Sequence, residues 1–418
     1  MASSLASAST LYICYFGVRE PLVQTQVVPY LRQLTAAGVR AHLLTFEPQP
    51  VAQWPTDERD AVRARLAAQG IGWHALTYHK RPTLPATLYD IARGAQFARR
   101  LIRRERLDII HARSHVAAAM GALAKRGTRA RLLFDIRGFM PEEYTDAGVW
   151  PAGGHLYKLA KAAERRLLAA ADGYVVLTEK ARQILFPDAA QNGRARPVEV
   201  IPCCVDLAHF RGREAAARAE VRRELGVAAR RVLVYVGSLG GWYLTDEMAD
   251  LLAAAHRADP ATFALILTQS PPAMITERLA ARGLGPEDYL VRRVSPAEMP
   301  RYLSAADAAL SFIKPCYSKL SSSPTKMAEY LAAGLPVICN AGVGDVDELI
   351  ETDRVGVLLR EFDEASYRAA LAELAELERD PDLRARCRRS ADARLDLTRI
   401  GGPRYRRLYE RLLAGARG

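Results

Sequence analysis

No apolar run in this chain approaches the roughly 20 residues that a membrane-spanning helix needs. Metal-type spacing is missing as well. Six cysteines, Cys14, Cys203, Cys204, Cys316, Cys339 and Cys387, are scattered without a Cys-x2-Cys pair or a Cys/His cluster, which argues against a zinc module and fits buried thiols in a reducing compartment. Residues 1–10 are small and polar and lack the charged and apolar regions of a signal peptide, so they read as a disordered lead-in. Basic residues are plentiful, with a formal net charge of +12, yet they run along helices as Arg-Arg pairs with no aromatic-rich basic motif. That distribution argues against nucleic acid as a partner. It suits either an anionic membrane surface or a well-solvated face.

What is present is an ordinary globular composition, 50% hydrophobic and 25% charged, over 418 residues, enough for two or three domains with cores of their own. Buried apolar runs alternate with helical patterns throughout. Strands are expected at 11–16, 41–46, 71–78, 107–112, 131–136, 171–178 and 198–203, then at 232–236, 263–267, 289–294, 308–313, 336–339 and 356–359. Helices are expected between them, at 22–37, 57–69, 88–105 and 156–170 among others. This is an α/β chain with Rossmann-like doubly wound parallel sheets, whose ligands sit at the carboxyl ends of the strands. The charged run 211–223 reads as a linker and lead-in helix, dividing the chain into domains 1–210 and 211–399.

One segment concentrates the chemistry. Between the strands at 308–313 and 336–339 lies a polar loop followed by a short helix, with Ser321, Ser323, Thr325 and Lys326 at its start. Ser323 suits the N-cap, Pro324 the first helical position, and Gly334 a left-handed C-cap. Hydroxyls, a lysine and free N–H groups at a helix N-terminus make an anion site, most naturally for phosphate. Glu329 lies too far along to cap; it can accept from sugar hydroxyls beside that phosphate, or it is a surface residue of an ordinary capped helix. A second Gly-rich loop, with Gly237, Ser238, Gly240, Gly241 and Trp242, follows the strand at 232–236, where backbone N–H groups can approach a pyrophosphate. Trp242 is either a wall beside a ligand or core.

The segment 321–340 resembles the donor-nucleotide helix of family 4 glycosyltransferases of the GT-B architecture, whose pattern is Glu-x7-Glu, an apolar helix, Ala-x-Gly and Pro-Val. Glu329 matches the second Glu, which in that family grips the ribose. The first, which contacts the transferred sugar, is replaced by Ser321. Lys326 looks like a phosphate contact of a known sub-pattern. Further landmarks follow in order: Ala171-Asp172, Ile201-Pro202 through Phe210, Ala306-Asp307, and Gly342 through Glu348, similar to Gly-Gly-x-x-Glu. The resemblance places Val294 by the nucleobase and Glu348 on the donor. Ser238 stands where the family has Arg and no Lys follows, which passes neutralisation of the diphosphate to Lys326 and Lys314. On the acceptor side it places the loop Gly17, Arg19 and Glu20, together with His111 and Arg113. Arg137 occupies the place of a His beside the transferred sugar, and Asp135, two residues earlier, shares its side if the strand continues that far. These two and Glu329 are the catalytic candidates; the alternative is an Arg137 that pairs with Glu142 or Glu143 and only shapes its loop.

The resemblance implies two Rossmann-like domains facing across a cleft, with the donor in the second and the acceptor in the first. The terminal segment 400–418 would pack back on the first domain. The implied reaction transfers a sugar from a nucleoside diphosphate sugar to a hydroxyl of a glycan or lipid-linked acceptor, with retention and without metal or other cofactor. Asp345-Val346-Asp347 has the spelling of a metal site, but it falls in the Gly-Gly-x-x-Glu segment of a metal-independent architecture. The expected setting is bacterial surface polysaccharide or glycolipid synthesis, in the cytoplasm or peripheral on the inner face of the membrane. Arg99, Arg100, Arg103 and Arg104, with Lys158, Lys161, Arg165 and Arg166, would meet that membrane. A sugar-nucleotide epimerase shares the architecture without needing an acceptor. A noncatalytic nucleotide-sugar-binding protein is the other alternative, since Ser238 and Ser321 depart from the active pattern.

Overall fold

The computed structural model describes residues 5–187, 196–210 and 215–414. The chain forms two compact units, Met1–Pro202 with Leu397–Gly418, and Cys203–Asp396. The change of unit thus falls at 202/203, and the return at 396/397. Residues 211–214 of the expected linker lie outside the described residues, and its remainder is the helix Ala215–Glu224.

The first unit is built on β1 (Ser9–Cys14), β2 (Arg40–Glu47), β3 (Ile71–Thr77), β4 (Ile109–Arg113), β5 (Arg131–Asp135), β6 (Gly173–Val176) and β7 (Val198–Val200). They form one parallel sheet in the order β3-β2-β1-β4-β5-β6-β7. The second holds β8 (Arg231–Val236), β9 (Thr262–Leu267), β10 (Tyr289–Arg292), β11 (Ala308–Ser311), β12 (Val337–Asn340) and β13 (Gly356–Leu359). Their order is β10-β9-β8-β11-β12-β13, again parallel. Each order reverses once, between β1 and β4 and between β8 and β11. Such reversal points open a crevice at the carboxyl ends of the strands, where open α/β sheets bind ligands.

Strand period explains why both faces are covered. Val232, Val234 and Val236 of β8 and Leu265 and Leu267 of β9 enter one core, with Met327, Tyr330 and Leu331. Leu233, Tyr235, Ala264 and Ile266 enter the opposite core, with Met248, Leu252 and Phe312. Among the described residues all thirteen strands fall where the apolar runs put them, with ends shifted by a few residues.

Three departures have clear causes. The helix expected over 22–37 is two, Pro21–Gln26 and Val28–Ala36, broken at Val27 (φ −123°, ψ −60°). Pro29 brings no N–H to continue the ladder back to Thr25, and its ring crowds that carbonyl. Residues 5–10 are no disordered lead-in: Leu5 is fully buried, and Ser9 and Thr10 open β1. Residues 1–4 lie outside the described residues. Strand β4 runs one residue past the expected end at 112, so Arg113 belongs to the sheet and not to the loop after it. The last helix, Gly402–Ala414, belongs to the first unit, where the Tyr409 hydroxyl lies 3.0 Å from Thr10 Oγ1. Among the described residues no helix is long and apolar enough to cross a membrane.

Candidate functional site

In the second unit the reversal point is organised by the helix Thr325–Ala332. Its Tyr330 hydroxyl accepts from the Val236 N–H at the end of β8 (2.7 Å) and donates to the Leu310 carbonyl on β11 (3.1 Å), which pins the helix across the two strands. Asn340, ending β12, clamps the next loop by exchanging hydrogen bonds with the Ile313 N–H (2.8 Å) and carbonyl (2.9 Å). Gly334 has the positive φ of +75° expected just past the helix. The start of the helix departs from expectation. Pro324 is the N-cap and no side chain caps the turn, because Ser323 Oγ instead accepts from the Cys203 N–H at 3.0 Å. The positive end of the helix is therefore left without a side-chain cap.

Lys326 stands at that end, 7% exposed, and its Nζ has no hydrogen-bond partner. Two rings enclose it: Nζ lies 4.2 Å from the centroid of Tyr235 and 4.4 Å from that of Tyr243. Burial pushes the ammonium pKa down to about 7, against the pull of Glu329. Glu329 is half-buried one turn on, and burial pushes its carboxyl up to about 7, against the pull of Lys326. A buried cation offered only ring faces is incompletely satisfied, and an arriving anion would complete its shell.

The Gly-rich loop lies directly over this lysine. A Cβ at Gly237 would come within 2.9 Å of Lys326 Nζ, and Gly237, Gly240 and Gly241 all have positive φ (134°, 71° and 60°). Three of the loop's six amides are used internally and do not face a pyrophosphate. The N–H of Gly237 reaches the Leu267 carbonyl (3.0 Å), that of Leu239 reaches Ser270 Oγ (3.0 Å), and that of Gly240 reaches Thr245 Oγ1 (2.8 Å). The Ser238 side chain is exposed while its carbonyl takes the Tyr235 hydroxyl at 2.5 Å. Positive charge at this edge comes instead from Lys326 and from a residue the sequence reading missed. Lys319, buried in the short turn Tyr317–Ser321, sets its Nζ 3.9 Å from the centroid of the Trp242 ring. Trp242 is half-buried, and its carbonyl takes the Lys314 N–H at 2.8 Å; the Lys314 side chain is exposed.

The remaining expected donor residues are placed as follows. Ser321 is buried and donates to the Ser318 carbonyl (2.7 Å), holding the turn that carries Lys319. Thr325 is half-buried in the first turn of the helix. Val294 is buried, and its carbonyl accepts from Gln269 Nε2 at 3.1 Å. Glu348 is exposed on the helix Val346–Asp353. Asp347 turns its carboxylate to the Gly342 N–H (3.1 and 3.2 Å), capping its own loop.

In the first unit, Asp135 ends β5 fully buried and gathers a polar cluster. Its Oδ1 lies 3.4 Å from Arg137 Nη1; its Oδ2 takes the hydroxyls of Tyr405 (3.2 Å) and Tyr12 (3.4 Å). His111 Nε2 and Arg113 Nη1 stand 3.6 and 3.7 Å from the same Oδ2. Burial would raise the Asp135 pKa, but Arg137, His111 and Arg113 together hold it well below the usual carboxylate range. Burial lowers the His111 pKa against the pull of Asp135, and its Nδ1 meets the Tyr409 hydroxyl at 3.0 Å. Glu142, one of the two expected alternative partners of Arg137, accepts from Tyr157 and Lys161, each at 3.0 Å. The N-terminal loop is separately anchored. Arg19 stacks on Trp54 (3.9 Å) and pairs with Glu58 (2.6 Å), Glu20 is exposed, and a Cβ at Gly17 would press on Glu47 Oε2 at 2.8 Å.

Both halves match glycosyltransferase families. Residues 23–204 match the model described as a glycosyl transferase 4-like domain, and residues 230–376 that described as glycosyl transferases group 1. The chain thus carries two glycosyltransferase domains. Its fold is that of GT-B glycosyltransferase structures. HepE of Anabaena, solved with UDP, is 16% identical, with 97% of this chain and 100% of that chain covered and a TM-score of 0.70. Sucrose-phosphate synthase of Thermosynechococcus elongatus is 17% identical, with 98% and 100% covered and a TM-score of 0.72. WaaG, a glycosyltransferase involved in lipopolysaccharide biosynthesis, is 14% identical, with 97% and 98% covered and a TM-score of 0.63. No curated protein matches the chain in sequence.

Proposed function

We propose that this chain is a retaining, metal-independent family 4 glycosyltransferase that moves a sugar from a nucleoside diphosphate sugar to a hydroxyl acceptor. The observation that carries the reading is Lys326, a buried ammonium without a hydrogen-bond partner between an uncapped helix N-terminus and a Gly-rich loop. The diphosphate would lie there, with the ribose hydroxyls on Glu329 and the base near Val294. The leaving nucleoside diphosphate gains negative charge as its bond to the sugar breaks. An ammonium already taken out of water stabilises that charge more strongly than one in water would. Arg137 and Asp135 would attend the transferred sugar, and the acceptor would enter by Gly17, Arg19, Glu20, His111 and Arg113. The rest of the catalysis is positioning of the acceptor hydroxyl. No cofactor is needed beyond the donor.

HepE solved with UDP and WaaG in lipopolysaccharide biosynthesis support a uridine donor and a bacterial surface-glycan setting. Exposed Leu156 and Leu159 beside Lys158, Arg165 and Arg166 on the helix His155–Ala170 support peripheral contact with an anionic inner leaflet. Lys161 is no part of that face, since it pairs with Glu142 and Glu164. A noncatalytic nucleotide-sugar binder is the second reading, favoured by Ser238 and Ser321 at positions where the active pattern has Arg and Glu. A thermal-shift screen with UDP, GDP and their sugars tests donor binding, which raises stability by mass action. A shift with one nucleoside and its sugars, followed by transfer to an acceptor, supports the enzyme. Binding without transfer or donor hydrolysis supports the binder, and no shift with any nucleotide overturns both.

A further inference from the structure

Arg113 ends β4 on the reversal point of the first sheet. In register it faces Cys14 at the end of β1 on one side and Asp135 at the end of β5 on the other. It is 4% exposed, and its buried Nη1 has no hydrogen-bond partner. Asp135, its neighbouring carboxylate, is 3.7 Å away and already serves Arg137, Tyr405 and Tyr12. A guanidinium carries five donors in a planar fork, and leaving those of Nη1 unmet out of water is costly unless a partner arrives. Neutral sugar hydroxyls answer single N–H groups, whereas a carboxylate or phosphate answers the fork and the charge together.

We propose that Arg113 holds an oxyanion, a carboxylate or a phosphate, carried by the substrate bound to the first unit. The acceptor would then be an acidic sugar or a phosphorylated glycan, with Arg137 beside the same group. This rests on reading the first unit as the acceptor half, and its position at the β1/β4 reversal point is independent of Lys326 in the other unit.

The test uses the full-length chain saturated with UDP, so that the Lys326 site is filled and anions cannot report on it. UDP binding is measured first and judges the nucleotide reading alone. Calorimetric titration then compares methyl glucuronide, glucose 1-phosphate and neutral methyl glucoside. We expect at least one acid to bind tenfold or more tighter than the glucoside, and which acid wins identifies the group. Arg113→Gln should abolish that margin and Arg113→Lys should cut it at least several-fold, both with UDP affinity unchanged. Equal affinity of the three sugars for the wild-type chain overturns the proposal without needing any variant to fold. A margin that survives both variants overturns it as well.

Discussion

Replacing Lys326 by Met separates function from stability, because the two respond in opposite directions. The substitution removes a buried ammonium that meets only the rings of Tyr235 and Tyr243. Methionine is of similar length and keeps favourable contact with both rings. Exchanging a buried charge without an ion-pair partner for a well-packed apolar side chain removes its desolvation penalty, so stability should hold or rise. We therefore expect Lys326→Met to unfold in urea at the same or higher concentration at neutral pH. Nucleotide binding should weaken, since a hydrogen bond to a charged group contributes about 1.5–3 kcal/mol, or roughly 10- to 150-fold in Kd. A pH signature follows. The folded pKa of Lys326 is lowered from 10.5 to about 7, so its unfavourable contribution is complete below pH 7 and fades as pH rises toward 10.5. Above pH 7 a binding diphosphate must draw a proton back onto the amine. UDP affinity should fall as pH rises, and calorimetry in buffers of different ionisation enthalpy should show proton uptake. The variant should lose both effects. If Lys326→Met is destabilised by more than about 1 kcal/mol and binds UDP as tightly as the wild type, the lysine is a packing residue and the reasoning fails.

Glu329→Ala should weaken UDP binding by about 1.5–3 kcal/mol, measured by calorimetry; a merely solvated Glu predicts no change. Because the folded pKa of Glu329 is raised from 4.5 to about 7, wild-type stability should drop as pH rises through that window, and Glu329→Gln should remove the drop in urea titrations. Tyr330→Phe strands the buried Val236 N–H and should cost about 1–3 kcal/mol in unfolding free energy. Arg137→Lys should keep the fold and UDP affinity but lose most transfer, because the charge stays while the planar fork goes; near-normal turnover would remove Arg137 from the chemistry.

The strands were legible because parallel sheets covered on both faces read as near-continuous apolar runs, and β8, β9 and β13 are such runs. Glu329 and Lys326 were legible as candidates because a polar loop, a helix start and the motif fall within one short segment. What local patterns could not show is what Lys326 touches: Tyr235 and Tyr243 lie some 80–90 residues away in the chain and meet it only through the sheet. Lys319 was missed for the same reason, since only the turn held by Ser321 sets it against Trp242. Ser323 misled because an N-cap preference is a local rule, and the Cys203 N–H took its oxygen. Arg113 fell just past the expected strand 107–112 because polar side chains usually end a strand. In fact Asp135, Tyr405 and Tyr409 provide the partners that let β4 bury His111 and bring Arg113 to its end.

A crystal structure of the chain with the nucleoside diphosphate selected by thermal shift tests the central claim most directly. The account predicts diphosphate oxygens within hydrogen-bond distance of Lys326 Nζ at the start of the helix Thr325–Ala332, with the ribose hydroxyls on the Glu329 carboxylate. A nucleotide bound elsewhere, with Lys326 still enclosed only by Tyr235 and Tyr243, would contradict it.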